Sequence, residues 1–167
     1  MSREPGAIQG VEIAIKYDDA SWHTDSVEGT EEPYPIAAGH IVAYLQWCLK
    51  RGWAGPDLTE DPDAAADIQK AIDGTITFTS FFENWQDCKL TADDLTEEGR
   101  AFTDVYYESK WLNDVMGLAG DHIYTKTAEQ YPLDEICAFL DQEYEKWLTD
   151  DDSSAGLVNS KPWWKFW

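Results

Sequence analysis

Positive charge is scarce in this chain: 12 lysines and arginines stand against 33 aspartates and glutamates over 167 residues, a formal charge of -21. A surface so anionic repels nucleic acid and anionic lipid, so neither is an expected partner. Cysteine is scarce too. Cys48, Cys88 and Cys137 lie far apart with no CxxC pair, which fits reduced, mostly buried thiols rather than a disulfide framework. No run approaches eighteen consecutive apolar residues, which argues against a membrane-spanning helix. Met1 to Pro5 lacks the basic flank and apolar stretch of a signal peptide, so a cytoplasmic location is expected. Also missing are an HExxH pair, an EF-hand loop, a GxSxG elbow and a glycine-rich phosphate loop. No catalytic residue, metal or other cofactor is therefore expected, and the chain reads as non-enzymatic.

Aromatic residues, by contrast, are abundant: 9 Trp, 8 Tyr and 6 Phe within a chain that is 43% apolar. Acidic disordered chains are poor in aromatics, so this one folds around a sizeable core despite its self-repulsion. Val11, Ile13, Ile15 and Tyr17 alternate as in a strand. Asp18 to Pro35 reads as a long polar loop. Ile36 to Trp53 is helical, with one stripe of Ile41, Leu45, Cys48 and Leu49 and a second face of His40, Tyr44, Trp47 and Arg51. A short helix spans Ala64 to Ile72 and stops at Asp73-Gly74. Phe78, Phe81, Phe82 and Trp85 recur at helical spacing, and a helix is expected from about Ser80. Thr91 to Asp94 has cap-like spacing and opens a short turn or helix. From Glu97 a long helix places Phe102, Val105, Tyr106, Leu112 and Met116 broadly on one face and ends at Gly117 and Gly120. Asp134 to Thr149 forms the last helix. The expected fold is mainly α: a single compact helical domain over 1–149 with a little β structure near the N-terminus. An acidic linker and an aromatic tail, Lys161 to Trp167, fill 150–167, and the tail's rings are expected to pack back on the domain.

Three constellations bear on function. Asp18, Asp19 and His23 offer oxygen and imidazole ligands close in sequence, and either His40 or His122 could complete a metal set. The simpler reading is that Asp18 or Asp19 caps a turn and Trp22 anchors the loop to the core. The acidic runs are the better lead. Asp87, Asp93, Asp94, Glu97 and Glu98 crowd one segment, Glu28, Glu31 and Glu32 a second, and Asp57, Glu60, Asp61 and Asp63 a third. Such a surface either keeps the chain soluble or steers it onto a cationic site. Exposed rings among Trp22, Tyr34, Trp47 and Trp85 would then anchor the complex.

Two strings resemble an uncharacterised bacterial domain family: Tyr17-Asp18-Asp19-Ala20-Ser21-Trp22-His23, and Lys89 to Phe102 followed by Tyr106-Tyr107. With the helix through Trp47-Cys48-Leu49 between them, the resemblance spans roughly Tyr17 to Leu112. It supplies no catalytic residue. It implies a cytosolic bacterial protein of the small acidic kind that accompanies secreted antibacterial toxins as an immunity protein. The expected partner is a cognate toxin or effector with a basic surface, most plausibly a nuclease domain. The expected contact residues are Asp18, Asp19, Trp22, Trp47, Asp93, Asp94, Glu97 and Glu98. The alternatives are a small metal-dependent hydrolase using Asp18, Asp19 and His23, or an adaptor or chaperone for an effector.

Overall fold

A computed structural model describes residues 15–150. One helix, α2 (Gly39–Lys50), forms its axis, and every residue from Gly39 to Leu49 is buried. One of the faces anticipated for it is apolar and the other is aromatic up to Arg51, which lies just past the end of the helix, so α2 has no polar side to leave in water. Its neighbours wrap it: α1 (Tyr34–Ala37), α4 (Pro62–Asp73), α5 (Phe78–Trp85) and α8 (Leu133–Thr149). A short helix, α3 (Pro56–Thr59), joins α2 to α4.

Local chemistry sets the ends of these elements. Asp61 caps α4, accepting from the amides of Asp63 and Ala64 at 2.9 and 3.1 Å. Gly74 terminates it at φ +83°, a left-handed position that glycine takes without a Cβ penalty. Thr77 caps α5 through the Ser80 amide, so that helix begins at Phe78, the first ring of its aromatic spacing and two residues before the expected start near Ser80.

The long C-terminal-half helix is interrupted. α6 (Glu97–Tyr106) passes through a π turn, Tyr107–Trp111, into α7 (Leu112–Ala119). The wider turn rotates the register, so the core face moves to Trp111, Val115 and Ala119 and Leu112 emerges into solvent; Val105, ahead of the turn, lies off the buried face of α6 set by Gly99, Phe102, Thr103 and Tyr106. Gly117 lies inside α7, and only Gly120, at φ +93°, ends it.

The β structure is one antiparallel pair, β1 (Lys16–Asp19) with β2 (Lys89–Thr91), in the register Lys16↔Thr91, Asp18↔Leu90 and Asp19↔Lys89. The N-terminal strand thus runs into the segment expected to be loop, whereas Val11 and Ile13 lie outside the described residues. An irregularity between Lys16 and Asp18 breaks the alternation, and Tyr17, Asp18 and Asp19 are all buried. Bulges of this kind re-aim side chains. The aromatic tail, expected to pack back, likewise lies outside the described residues.

The core is largely aromatic. Tyr44, Trp47, Trp53, Phe102, Tyr106, Trp111 and Tyr144 meet in tilted, stacked and edge-to-face pairs. Arg51 seals one end, its guanidinium 4.4 Å from the Tyr144 ring centre and 2.8 Å from Asp141 Oδ1. Trp47 donates to the same oxygen at 2.9 Å. Trp47 is therefore a core residue with its one polar atom satisfied, and it offers no anchor to a partner. Cys48 is fully buried as expected, whereas Cys88 and Cys137 are half-buried.

Gly55 marks the tightest approach between segments. A Cβ there would sit 2.4 Å from the Asp93 carbonyl oxygen and 3.0 Å from the Leu95 amide. Both are backbone atoms that cannot rotate away. The Gly55→Ala variant is expected to lose about 1–3 kcal/mol in urea denaturation, the usual cost of overpacking, with the slope of the transition unchanged.

Candidate functional site

The buried carboxylate of Asp18 gathers four donors. Oδ1 accepts from His23 Nε2 at 2.6 Å and from the Asp19 amide at 2.8 Å. Oδ2 accepts from His40 Nε2 at 3.1 Å and from the Tyr107 hydroxyl at 2.9 Å. That number matches the lone-pair directions of an ionised carboxylate. Each donor comes from a different part of the fold. A 3-10 turn, Ala20–Ser26, follows β1 directly and returns His23 to Asp18. His40 enters from the first turn of α2. Tyr107 opens the π turn, whose last residue, Trp111, donates to the His40 carbonyl at 3.0 Å. Tyr124, in the 3-10 turn Ile123–Thr125, places its hydroxyl 3.1 Å from His23 Nδ1.

The electrostatics follow from this geometry. Burial by itself would raise the Asp18 pKa, but the hydrogen bonds from His23 and His40 outweigh it and hold the carboxyl below the usual range. Burial depresses the His40 pKa, and the hydrogen bond to Asp18 and its charge only partly restore it. Tyr107 is raised by burial and by the Asp18 charge, and it stays a donor. The rings of His23 and His40 meet edge to face, with centres 4.6 Å apart. One ligand atom from each of Asp18, His23 and His40 lies within 4.8 Å of the other two.

Asp19, adjacent in sequence, points elsewhere. Its Oδ1 caps the 3-10 turn through the Ser21 amide and hydroxyl, and its Oδ2 pairs with Lys16 at 3.0 Å. A set made of Asp18, Asp19 and His23 is therefore not assembled; His40 stands where Asp19 was expected. Turn capping by Asp19 is as anticipated, but Trp22 does not anchor the loop to the core. It is 58% exposed, with the Lys16 ammonium 5.2 Å from its ring centre.

The other expected contact residues divide by environment. Asp94 is turned inward and forms a capping box with Thr91, accepting from its amide at 2.7 Å. Glu98 accepts from the Tyr144 hydroxyl. Asp93 is offset by Arg100 at 3.0 Å, and Glu97 is exposed. Asp18 and Asp94 are committed inside the fold and are not docking residues. A second exposed ring, Tyr34, stands 46% accessible. It lines an open hollow of about 420 Å³ with Asp19, Ser21, Asp87, Cys88 and Lys89. Trp85 is not exposed in this way; it is half-buried and donates to Asp67 at 3.0 Å.

Because Asp18 serves only donors, charge and geometry can be separated by substitution. Asp18→Ala is expected to cost about 3 kcal/mol or more in chemical denaturation, since it strands buried donors at roughly 1–3 kcal/mol each. Asp18→Asn is expected to be nearly as damaging, because its amide presents a donor to donors. Tyr107→Phe removes one bond to a charged acceptor and should cost about 1.5–3 kcal/mol. An Asp18→Asn protein as stable as the parent would show that the carboxylate charge holds nothing together.

No curated protein and no solved structure matches this chain. A family model does match, over residues 16–132. The matched stretch holds the whole Asp18 cluster with both tyrosines, and it ends just before α8, whose Ile136, Leu140, Tyr144 and Trp147 nonetheless complete the core. The chain belongs to the family described as Domain of unknown function (DUF7832).

Proposed function

We propose that this chain is a binding protein for a basic protein partner, an immunity-type inhibitor that occludes the cationic active site of a toxin domain. One observation carries the reading. Trp22 and Tyr34, both exposed, bracket a segment in which Asp25, Glu28, Glu31 and Glu32 are exposed and no lysine or arginine occurs. Rings that leave apolar area in water supply anchors, and a run of one charge around them supplies steering and register. A nuclease holds phosphates with positive charge, so such a surface competes for its groove. This places the steering acids between the two rings rather than at Asp94 and Glu98, which serve the fold. Asp93 and Glu97 remain at the surface as a second acidic point.

A hydrolase built on Asp18, Asp19 and His23 is the weaker reading. Asp19 commits its carboxylate to Ser21 and Lys16 and does not join Asp18 and His23.

The test uses tagged full-length chain as bait in a bacterial lysate at low and high salt. A basic protein is expected to be retained at low salt and weakened by high salt. A variant with Asp25, Glu28, Glu31 and Glu32 changed to lysine should lose at least about tenfold in association rate at low salt, with the difference shrinking as salt is raised. Trp22→Ala should instead raise the dissociation rate. Adding the chain should abolish the partner's enzymatic activity; a partner that stays active when bound would make the chain an adaptor. Retention that ignores both variants would overturn the assigned surface.

A further inference from the structure

We propose that Asp18, His23 and His40 form a binding site for one divalent transition-metal ion of the zinc class. This does not depend on the partner reading. Two imidazoles converge by their Nε2 atoms on one carboxylate, at 2.6 and 3.1 Å. Two nitrogens and one oxygen from three separate elements make the three-ligand donor set of sites that keep a fourth position for water. Imidazole with carboxylate suits zinc and its neighbours rather than magnesium or calcium, which prefer oxygen throughout.

The surroundings supply what such a site needs beyond its ligands. Metal-bound histidine donates its other ring nitrogen to a neighbour, which fixes the tautomer. Tyr124 Oη, 3.1 Å from His23 Nδ1, is placed to accept that proton. Asp18 would retain the Asp19 amide and the Tyr107 hydroxyl as supporting donors while an ion replaces the two imidazole hydrogens. On ligation through Nε2 each neutral ring carries its hydrogen on Nδ1. Tetrahedral bonds of about 2.0–2.2 Å put ligand atoms roughly 3.3–3.5 Å apart, so the Asp18–His23 pair, at 2.6 Å, opens by less than about 1 Å. The His23 side chain, 20% exposed, can yield and gives the ion its way in from solvent.

His40 is the most buried of the three ligands, and its Nδ1 has no hydrogen-bond partner, so the supporting contacts of the site come through His23 and Asp18.

The experiment is calorimetric titration of Zn²⁺ into full-length protein stripped with chelator, in millimolar Mg²⁺ to suppress loose binding by surface acids. One Zn²⁺ per chain is expected, together with a rise in melting temperature. His23→Ala should weaken binding by more than the roughly 10–100-fold that loss of a supporting partner costs, with circular dichroism unchanged, whereas His122→Ala should leave it intact. Should His23→Ala unfold, ¹⁵N spectra of the parent decide: Zn²⁺ should shift the Nε2 signals of two histidines and leave the third. No stoichiometric zinc, zinc bound equally by the His23 variant, or unchanged histidine signals would each overturn the site.

Discussion

A carboxylate taken out of water must be repaid in hydrogen bonds, and the satisfaction of Asp18 is the constraint around which this fold is arranged. Burying it unpaired would force it to take up a proton or unfold the site. The structure instead brings donors from β1, the following turn, the start of α2 and the π turn. Several irregular features then share one explanation. The irregularity in β1 turns Asp18 inward, the tight 3-10 turn returns His23, and the π turn swings Tyr107 over the carboxylate. Irregular backbone at these points is where side chains need aiming that regular elements do not give.

The aromatic core answers a different problem. A chain with 33 acids repels itself, and its interior must outweigh that without a disulfide among the described residues. Large rings bury more area per residue than aliphatic side chains, and their edge-to-face contacts add to the area term. The polar atoms on those rings are then matched with acids, Trp47 to Asp141, Tyr106 to Asp114, Tyr17 to Asp104 and Tyr144 to Glu98. Part of the acidic excess is thus consumed in satisfying tyrosine and tryptophan donors. It is not all surface charge.

How far the sequence discloses this depends on the range of the interaction. Helices with a repeating apolar face, α2 and α8, are legible from spacing alone, as is the mainly helical class. The Thr91 to Asp94 cap is legible because its partners lie three residues apart, and the same pattern argues against Asp94 as a free surface charge. Trp47 misleads only if the two stripes of α2 are weighed separately; together they describe a helix with no solvent face. The candidate site is half visible. Asp18 and His23 are five residues apart, but His40, Tyr107 and Tyr124 arrive from 22, 89 and 106 positions downstream of Asp18, separations that local spacing does not encode. A histidine set among aromatics on a central helix was the available sign of His40. The π turn gave no sign, so the emergence of Leu112 could not be read from a period of 3.6.

The cluster and the exposed rings are mechanically one object. His23 and Trp22 are neighbours in the same 3-10 turn, so whatever fixes His23 against Asp18 also fixes the backbone from which Trp22 projects. Asp19 clamps the same turn from its other end through Ser21, and the Ala20 amide ties it to the Cys88 carbonyl at 3.0 Å. A turn held this way loses little further backbone freedom when it is covered, which lowers the entropic cost of docking. The polar interior and the exposed surface therefore cooperate: buried hydrogen bonds hold rigid the turn from which Trp22 projects.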